Sequence, residues 1–225
     1  MRKFCLQFGD STREKLAIFS AAPKLGYEFT SSKLCPIDCI PIGSVEFCES
    51  ILPPQEGPKD FYPDFLKEHF HRSIDWGTFG AVEGTNEDSA VKRKRLFLKE
   101  SHEWKSNFES RVVEWNEQIP YDFYYFSEPV EFVQEWRYYI AGGVQITTGW
   151  YKGDNEEEPA PDLGIDWPKT YNAAVDFGRL KDGRIALVES HAPFACGWYG
   201  DDHKDYALWQ YESWNNYIEG IKNET

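Results

Sequence analysis

The chain is short of positive charge. Its 225 residues carry 24 Lys and Arg against 38 Asp and Glu, a formal net charge of -14, and its pI is near 4.8. So acidic a chain repels a polyphosphate backbone, which excludes nucleic acid as the main partner; a local basic pocket for a small phosphate ligand stays open. Long apolar runs are also missing. None approaches the length that spans a bilayer, so no membrane partner is expected. The start Met1-Arg-Lys-Phe-Cys-Leu-Gln-Phe lacks the apolar core of a signal peptide, and the expected location is the cytoplasm. Cysteine is scarce: Cys5, Cys35, Cys39, Cys48 and Cys196, an odd number without a framework spacing. Cys35 and Cys39 flank Pro-Ile-Asp, but no second pair completes a zinc site. They read as reduced packing thiols, with zinc the lesser alternative. No Ser-His-Asp or Cys-His arrangement stands out, so no side-chain nucleophile is indicated.

Aromatic residues, by contrast, are plentiful. They make up 17% of the chain, with nine Trp and thirteen Tyr, and hydrophobic residues make up 41%. That balance points to a globular, strand-rich protein of one compact domain or two small lobes. Arg2–Phe8 reads as a strand and Ser11–Ala22 as a helix capped by Ser11 or Thr12. Gly26–Phe29 starts an extended segment, and Ile40–Cys48 alternates weakly. Phe65–His71 resembles a short helix, and Ile74–Glu83 an extended one. The polar stretch Thr85–Ala90 reads as a link, followed by the basic run Lys92-Arg-Lys-Arg95, a solvated face. A strand, Leu96–Leu98, ends at Lys99. Phe108–Trp115 is expected to be helical and Phe123–Phe126 extended. Val130–Ile140 and Val144–Tyr151 form a hairpin about Gly142-Gly143. Lys152–Lys169, rich in acids and proline, is expected to be a mobile, exposed loop. Tyr206–Ile221 is expected to be an amphipathic helix with Leu208, Tyr211, Trp214, Ile218 and Ile221 packed inward.

The densest chemistry lies in Ala174-Val-Asp176-Phe-Gly-Arg-Leu-Lys-Asp-Gly183-Arg-Ile-Ala-Leu-Val-Glu189-Ser-His191. It reads as two strands joined by an Asp182-Gly183 turn. Alternation puts Glu189 and His191 on one face, where Asp176 on the partner strand can meet them. Two acids and a third polar ligand on adjacent strands suit a hard cation such as Mg²⁺. An ordinary charged hairpin is the competing reading. Upstream, Arg137 lies inside the aromatic strand Phe132-Val-Gln-Glu-Trp-Arg-Tyr-Tyr-Ile. A guanidinium there needs a partner or a wet cleft, and an ion pair with Glu135 on the same face is its plainest explanation.

Taken in order, these pieces resemble the ATP-grasp superfamily and, more narrowly, its R2K clade. The matching stretches are Ile40-Pro-Ile-Gly-Ser-Val-Glu-Phe, Phe97-Leu-Lys-Glu-Ser-His-Glu-Trp-Lys105, Phe132-Val-Gln-Glu-Trp-Arg137, Val175-Asp-Phe-Gly178 and Val188-Glu-Ser-His191 through Gly197-Trp-Tyr-Gly200. The resemblance implies an ATP-grasp fold: two α+β lobes over residues 89–225 clamping ATP, preceded by a small pre-ATP-grasp portion over residues 1–88. It implies that Lys99 and Lys105 reach the ATP phosphates, that the adenine lies near Glu131, Phe132 and Val133, and that Arg137 faces the terminal phosphate or an acyl-phosphate. Asp176 and Glu189 match the Mg²⁺ carboxylates. The superfamily's last metal motif usually ends in Asn, but here His191 stands there. Imidazole is a poorer Mg²⁺ ligand than an amide oxygen, which leaves three readings of His191: a ligand to a softer ion such as Mn²⁺, a substrate contact, or a residue that simply occupies the position.

The implied activity is ATP-dependent ligation of a carboxylate to an amine or thiol through an acyl-phosphate. The acceptor would be a peptide, an amino acid or a small amine. A non-catalytic nucleotide-binding module is the second reading. A glycan-binding protein using Trp136, Trp150, Trp167 and Trp198 is the third. The oligomeric state is not legible.

Overall fold

The computed structural model describes residues 3–54, 57–79, 95–114 and 117–224, with side chains in the last helix through residue 216. The expected link Thr85–Ala90, all but Arg95 of the basic run, and the expected division after residue 88 lie outside the described residues. β1 (Lys3–Gln7) is followed by α1 (Arg13–Ala21), β2 (Phe29–Ser32), β3 (Cys39–Ile42) and α2 (Val45–Glu49). The three strands pair in parallel in the order β2-β1-β3, and α1 supplies the crossover that a parallel pair requires. Thr12 is its cap, accepting from the Lys15 N–H at 3.3 Å. The weakly alternating stretch Ile40–Cys48 is divided: the strand ends at Ile42, and Ser44 caps α2 by accepting from the Phe47 N–H at 3.2 Å.

A second sheet holds β4 (Ile74–Phe79), β5 (Arg95–Glu100), β6 (Arg111–Glu114) and β7 (Asp122–Ser127), antiparallel in the order β4-β7-β5-β6. The helix expected over Phe108–Trp115 is not there: Arg111-Val-Val-Glu114 is β6. Pairing with β5 and burial of Val113 override the local helical preference.

The third sheet carries β8 (Phe132–Ala141), β9 (Val144–Gly153), β10 (Ala173–Leu180) and β11 (Ile185–His191), antiparallel in the order β11-β10-β8-β9. Gly142 and Gly143, at φ +56° and +73°, turn the first hairpin. β8 is buried on both faces. Trp136, Tyr138 and Ile140 enter one core with Phe61, Leu66 and Phe177. Tyr139 and Ala141 enter another, with the first sheet, α1 and the C-terminal α3 (His203–Glu224).

Two expectations change here. α3 presents Tyr206, Ala207, Trp209, Gln210, Ser213 and Trp214 inward, a face rotated from the expected stripe, of which Trp214 alone is fully buried among the described side chains. The rotation seats the polar members on backbone: Gln210 donates to the Pro193 carbonyl (2.8 Å) and Trp209 to the Ile140 carbonyl (3.0 Å). Lys152–Lys169 is a packed cover, not a free loop. Trp167 is buried, and Leu163 and Ile165 pack on the same core. Trp136 donates to the Glu158 carbonyl (3.0 Å) and Tyr138 to that of Pro161 (2.7 Å). Its acids hid these apolar anchors.

Candidate active site

Antiparallel register sets four residues at one level across the third sheet: Gly149, Arg137, Asp176 and Glu189, one from each strand. Residues opposite one another share a face, so two acids and a guanidinium face the same way. Arg137 donates from Nε to Asp176 Oδ1 (2.7 Å) and from Nη2 to Oδ2 (2.6 Å), and both side chains are almost wholly buried. Nη1 donates to the Gly197 carbonyl at 3.2 Å. The rings of Tyr151 and Tyr199 lie over the guanidinium, at 4.8 and 5.1 Å. Glu135, the expected ion partner, instead lies 3.7 Å from Lys152, and burial raises its carboxyl pKa. Gly149 has no room for a side chain because the Tyr199–Gly200 backbone crosses it.

Glu189 is held from two sides. Lys99 Nζ stands 2.5 Å from Oε2, and His191 Nε2 2.9 Å from Oε1. Burial alone would raise the Glu189 carboxyl, but His191 and Lys99 outweigh it and hold it well below the usual carboxylate range. Lys99 also sits 4.0 Å above the Phe61 ring. One ligand atom each of Asp176, Glu189 and His191 lies within 4.8 Å of the others. Two carboxylates and an imidazole form a donor set that fits a divalent cation: the oxygens suit Mg²⁺, and the nitrogen suits Mn²⁺. Glu100, His102 and Asp122 also gather, but both Glu100 oxygens accept backbone N–H groups, of His102 and Glu103.

Lys99 and Glu189 open into a cavity of about 300 Å³, lined also by Phe97, Phe132, Tyr151 and Glu135. The end of β7 supplies Ser127 to its wall, and the β7–β8 connection Glu128 and Val130. Of the three residues expected near an adenine, Phe132 lines this cavity. Glu131 and Val133 do not: Glu131 is exposed and paired with Lys181 (2.6 Å), and Val133 is exposed. Lys105 is not brought to Lys99 in this cavity. It lines a second one, of about 630 Å³, between the Gln7–Asp10 loop and the Pro193–Gly197 segment.

Arg72 escaped the sequence reading. It lines the Lys99 cavity, donating to the carbonyls of Leu187 (2.7 Å) and Val188 (3.2 Å) and lying 5.7 Å from the Tyr62 and Phe132 rings. Besides the Phe70 carbonyl two residues away (3.1 Å), its partners are backbone atoms over a hundred residues off, which no local pattern marks. Of the four tryptophans considered for sugar stacking, Trp136, Trp167 and Trp198 are core residues. Among the described residues no helix is long and apolar enough to cross a membrane.

The whole chain superposes on all of the D-alanine–D-alanine ligase of Bacillus anthracis, with 13% identity and a TM-score of 0.51 for the crystal structure complexed with ATP. For a second crystal structure of that ligase the TM-score is 0.50, again with 13% identity and full coverage of both chains. No curated protein is matched by the sequence. Residues 69–208 match the model of the ATP-grasp domain, R2K clade family 2. The chain thus has the ATP-grasp fold and belongs to the R2K clade of ATP-grasp domains, family 2.

Proposed function

We propose that the chain is an ATP-dependent ligase that joins a carboxylate to an amine or thiol through an acyl-phosphate. The observation that carries this reading is the row Arg137–Asp176–Glu189, with Lys99 and His191 closing on Glu189 at the edge of the 300 Å³ cavity. ATP occupies that cavity, its base against the β7–β8 connection and Phe132. Lys99, a compact cation, turns from Glu189 to the phosphates. Asp176, Glu189 and His191 would hold Mg²⁺ or Mn²⁺. That ion, when bound, offsets the charge on the phosphate oxygens and orients them.

A substrate carboxylate oxygen attacks the γ-phosphorus, and the bond to ADP breaks. The amine or thiol then attacks the acyl carbon, phosphate leaves, and the nucleophile loses its proton. Lys99 stabilises the charge that spreads over the transferred phosphoryl oxygens, while Arg137, buried against Asp176 and outside the cavity's lining, holds that carboxylate in place. Lys105, on the larger cavity, serves a phosphate or substrate approaching from that side. No protein nucleophile takes part. The acceptor belongs to the peptides, amino acids or small amines.

The experiment is thermal unfolding with and without ATP and Mg²⁺, in the wild type and in Lys99→Ala. A ligand that binds only the folded state raises the midpoint. A metal-dependent rise lost in the variant, followed by ADP release with a carboxylate and an amine, is the expected result. No rise at millimolar ATP overturns the reading. One observation favours a second reading, nucleotide binding without turnover: Arg137, Lys99 and His191 already engage both carboxylates, and His191 stands where the superfamily usually has Asn. ATP binding with no ADP release under any acceptor would support it.

A further inference from the structure

β2 ends the first sheet. It pairs with β1 on one side, and among the described residues no strand pairs with its other side. The Glu28 and Ser32 carbonyls accept from the N–H groups of Phe4 (2.9 Å) and Phe8 (2.7 Å). Alternation therefore turns the N–H and carbonyl groups of Phe29 and Ser31 outward. Natural edge strands are ordinarily blunted by charge, proline, a bulge or a covering segment. Phe29-Thr-Ser-Ser32 carries no charge and no proline, and its register with β1 is unbroken.

An apolar surface lies beside this edge. α1 buries Ala17, Ile18 and Ala21, yet it also presents Leu16 and Phe19 outward, 53% and 62% exposed. Phe19 meets the Phe29 ring edge-on at 5.4 Å, so the outer stripe of the helix and the open strand are continuous. Leu34, just past the strand, is 78% exposed. Scattered apolar side chains on a surface are ordinary, but a contiguous group beside an unpaired edge marks a contact surface.

The surface complements itself. A two-fold axis normal to the sheet lays a second β2 antiparallel to the first, as a symmetric dimer requires. The outward groups of Phe29 and Ser31 then exchange hydrogen bonds with those of the other copy. Both α1 helices stay on one side of the joined sheet, with Leu16 and Phe19 of each turned toward the seam. Charge favours the same direction. Glu28 precedes the strand and Lys33 follows it. Antiparallel pairing brings each Glu28 beside Lys33 of the other copy, whereas parallel pairing would set like charges together. We propose that two copies of this chain associate through β2 and the outer stripe of α1, joining their first sheets into one.

The test is sedimentation velocity of the full chain across the micromolar range. It is repeated on Leu16→Lys, Phe19→Lys, Glu28→Lys and the double swap Glu28→Lys with Lys33→Glu. All four positions are exposed in the single chain, so thermal midpoints near the wild type are expected and serve as the control of fold. The expected result is a wild-type dimer whose dissociation constant rises roughly tenfold or more in each single variant and falls back in the double swap. Hydrogen exchange should slow at the Phe29 and Ser31 amides as concentration rises. Misfolding of either α1 variant leaves the charge swap as an independent readout. A monomer at every concentration would overturn the proposal. A dimer untouched by all the variants would do the same, because its interface would lie elsewhere. A weakening in Glu28→Lys that the double swap does not restore would reject the antiparallel pairing.

Discussion

Arg137 and Asp176 stand opposite each other on adjacent antiparallel strands and meet in a two-pronged, fully buried ion pair of 2.7 and 2.6 Å. The same carboxylate belongs to the cluster suited to a divalent cation. The arginine therefore both stabilises the sheet and fixes the position of a candidate metal ligand, with Tyr151 and Tyr199 confining its plane.

Arg137→Lys keeps the charge but loses the fork. Leaving one buried partner poorly met costs about 3–5 kcal/mol. Urea unfolding of the variant should show a loss of that order; a midpoint equal to the wild type would contradict the pairing.

Glu189 sets a pH dependence. His191 and Lys99 overcome the effect of burial and keep its carboxyl well below the usual range, whereas in the unfolded chain it titrates near ~4.3. Its stabilisation is thus complete above that value and is lost as pH falls through it toward the lower folded-state value. The stability gap between wild type and Glu189→Gln should be constant from neutrality down to pH about 5 and shrink below it. A gap that does not change down to pH about 3 would refute the assignment.

Gly178 on β10 faces Phe132, and a methyl group there would strike that ring. Phe132 lines the cavity assigned to ATP. Gly178→Ala should push the ring into that space and weaken ATP binding roughly tenfold, about 1.4 kcal/mol. Titration with ATP and Mg²⁺ checks this, and undiminished affinity would place the nucleotide elsewhere.

Cys196 lines the larger cavity, where a thiol could be mistaken for a nucleophile. Burial pushes its pKa up to about 12, so almost no thiolate is present at neutral pH. Iodoacetamide at pH 8 followed by mass spectrometry should leave Cys196 unmodified in the folded chain and label it in denaturant. Rapid labelling of the native protein would argue for a reactive role.

Much of the architecture is legible in local pattern. Period-two alternation and two glycine turns mark the hairpins of the third sheet, because apolar burial and positive φ leave few other residues suitable. The order of Lys99, Arg137, Asp176, Glu189 and His191 along the chain carries the family resemblance, which the match over residues 69–208 bears out. Other features are decided by neighbours distant in sequence. Arg111–Glu114 is a strand because β5 offers it an edge. The acidic stretch after Lys152 is a packed cover because Trp136 and Tyr138 donate to its carbonyls. Arg137 chooses Asp176 over Glu135 because register, not proximity along the strand, brings guanidinium and carboxylate face to face. The sequence by itself determined which elements exist and which charged groups they carry, since periodicity and turn chemistry act over a few residues. Only the tertiary structure decided which cavity each group enters, because strand register and packing bring together residues that local pattern cannot relate. That is why Lys99 and Lys105, six residues apart, line different cavities.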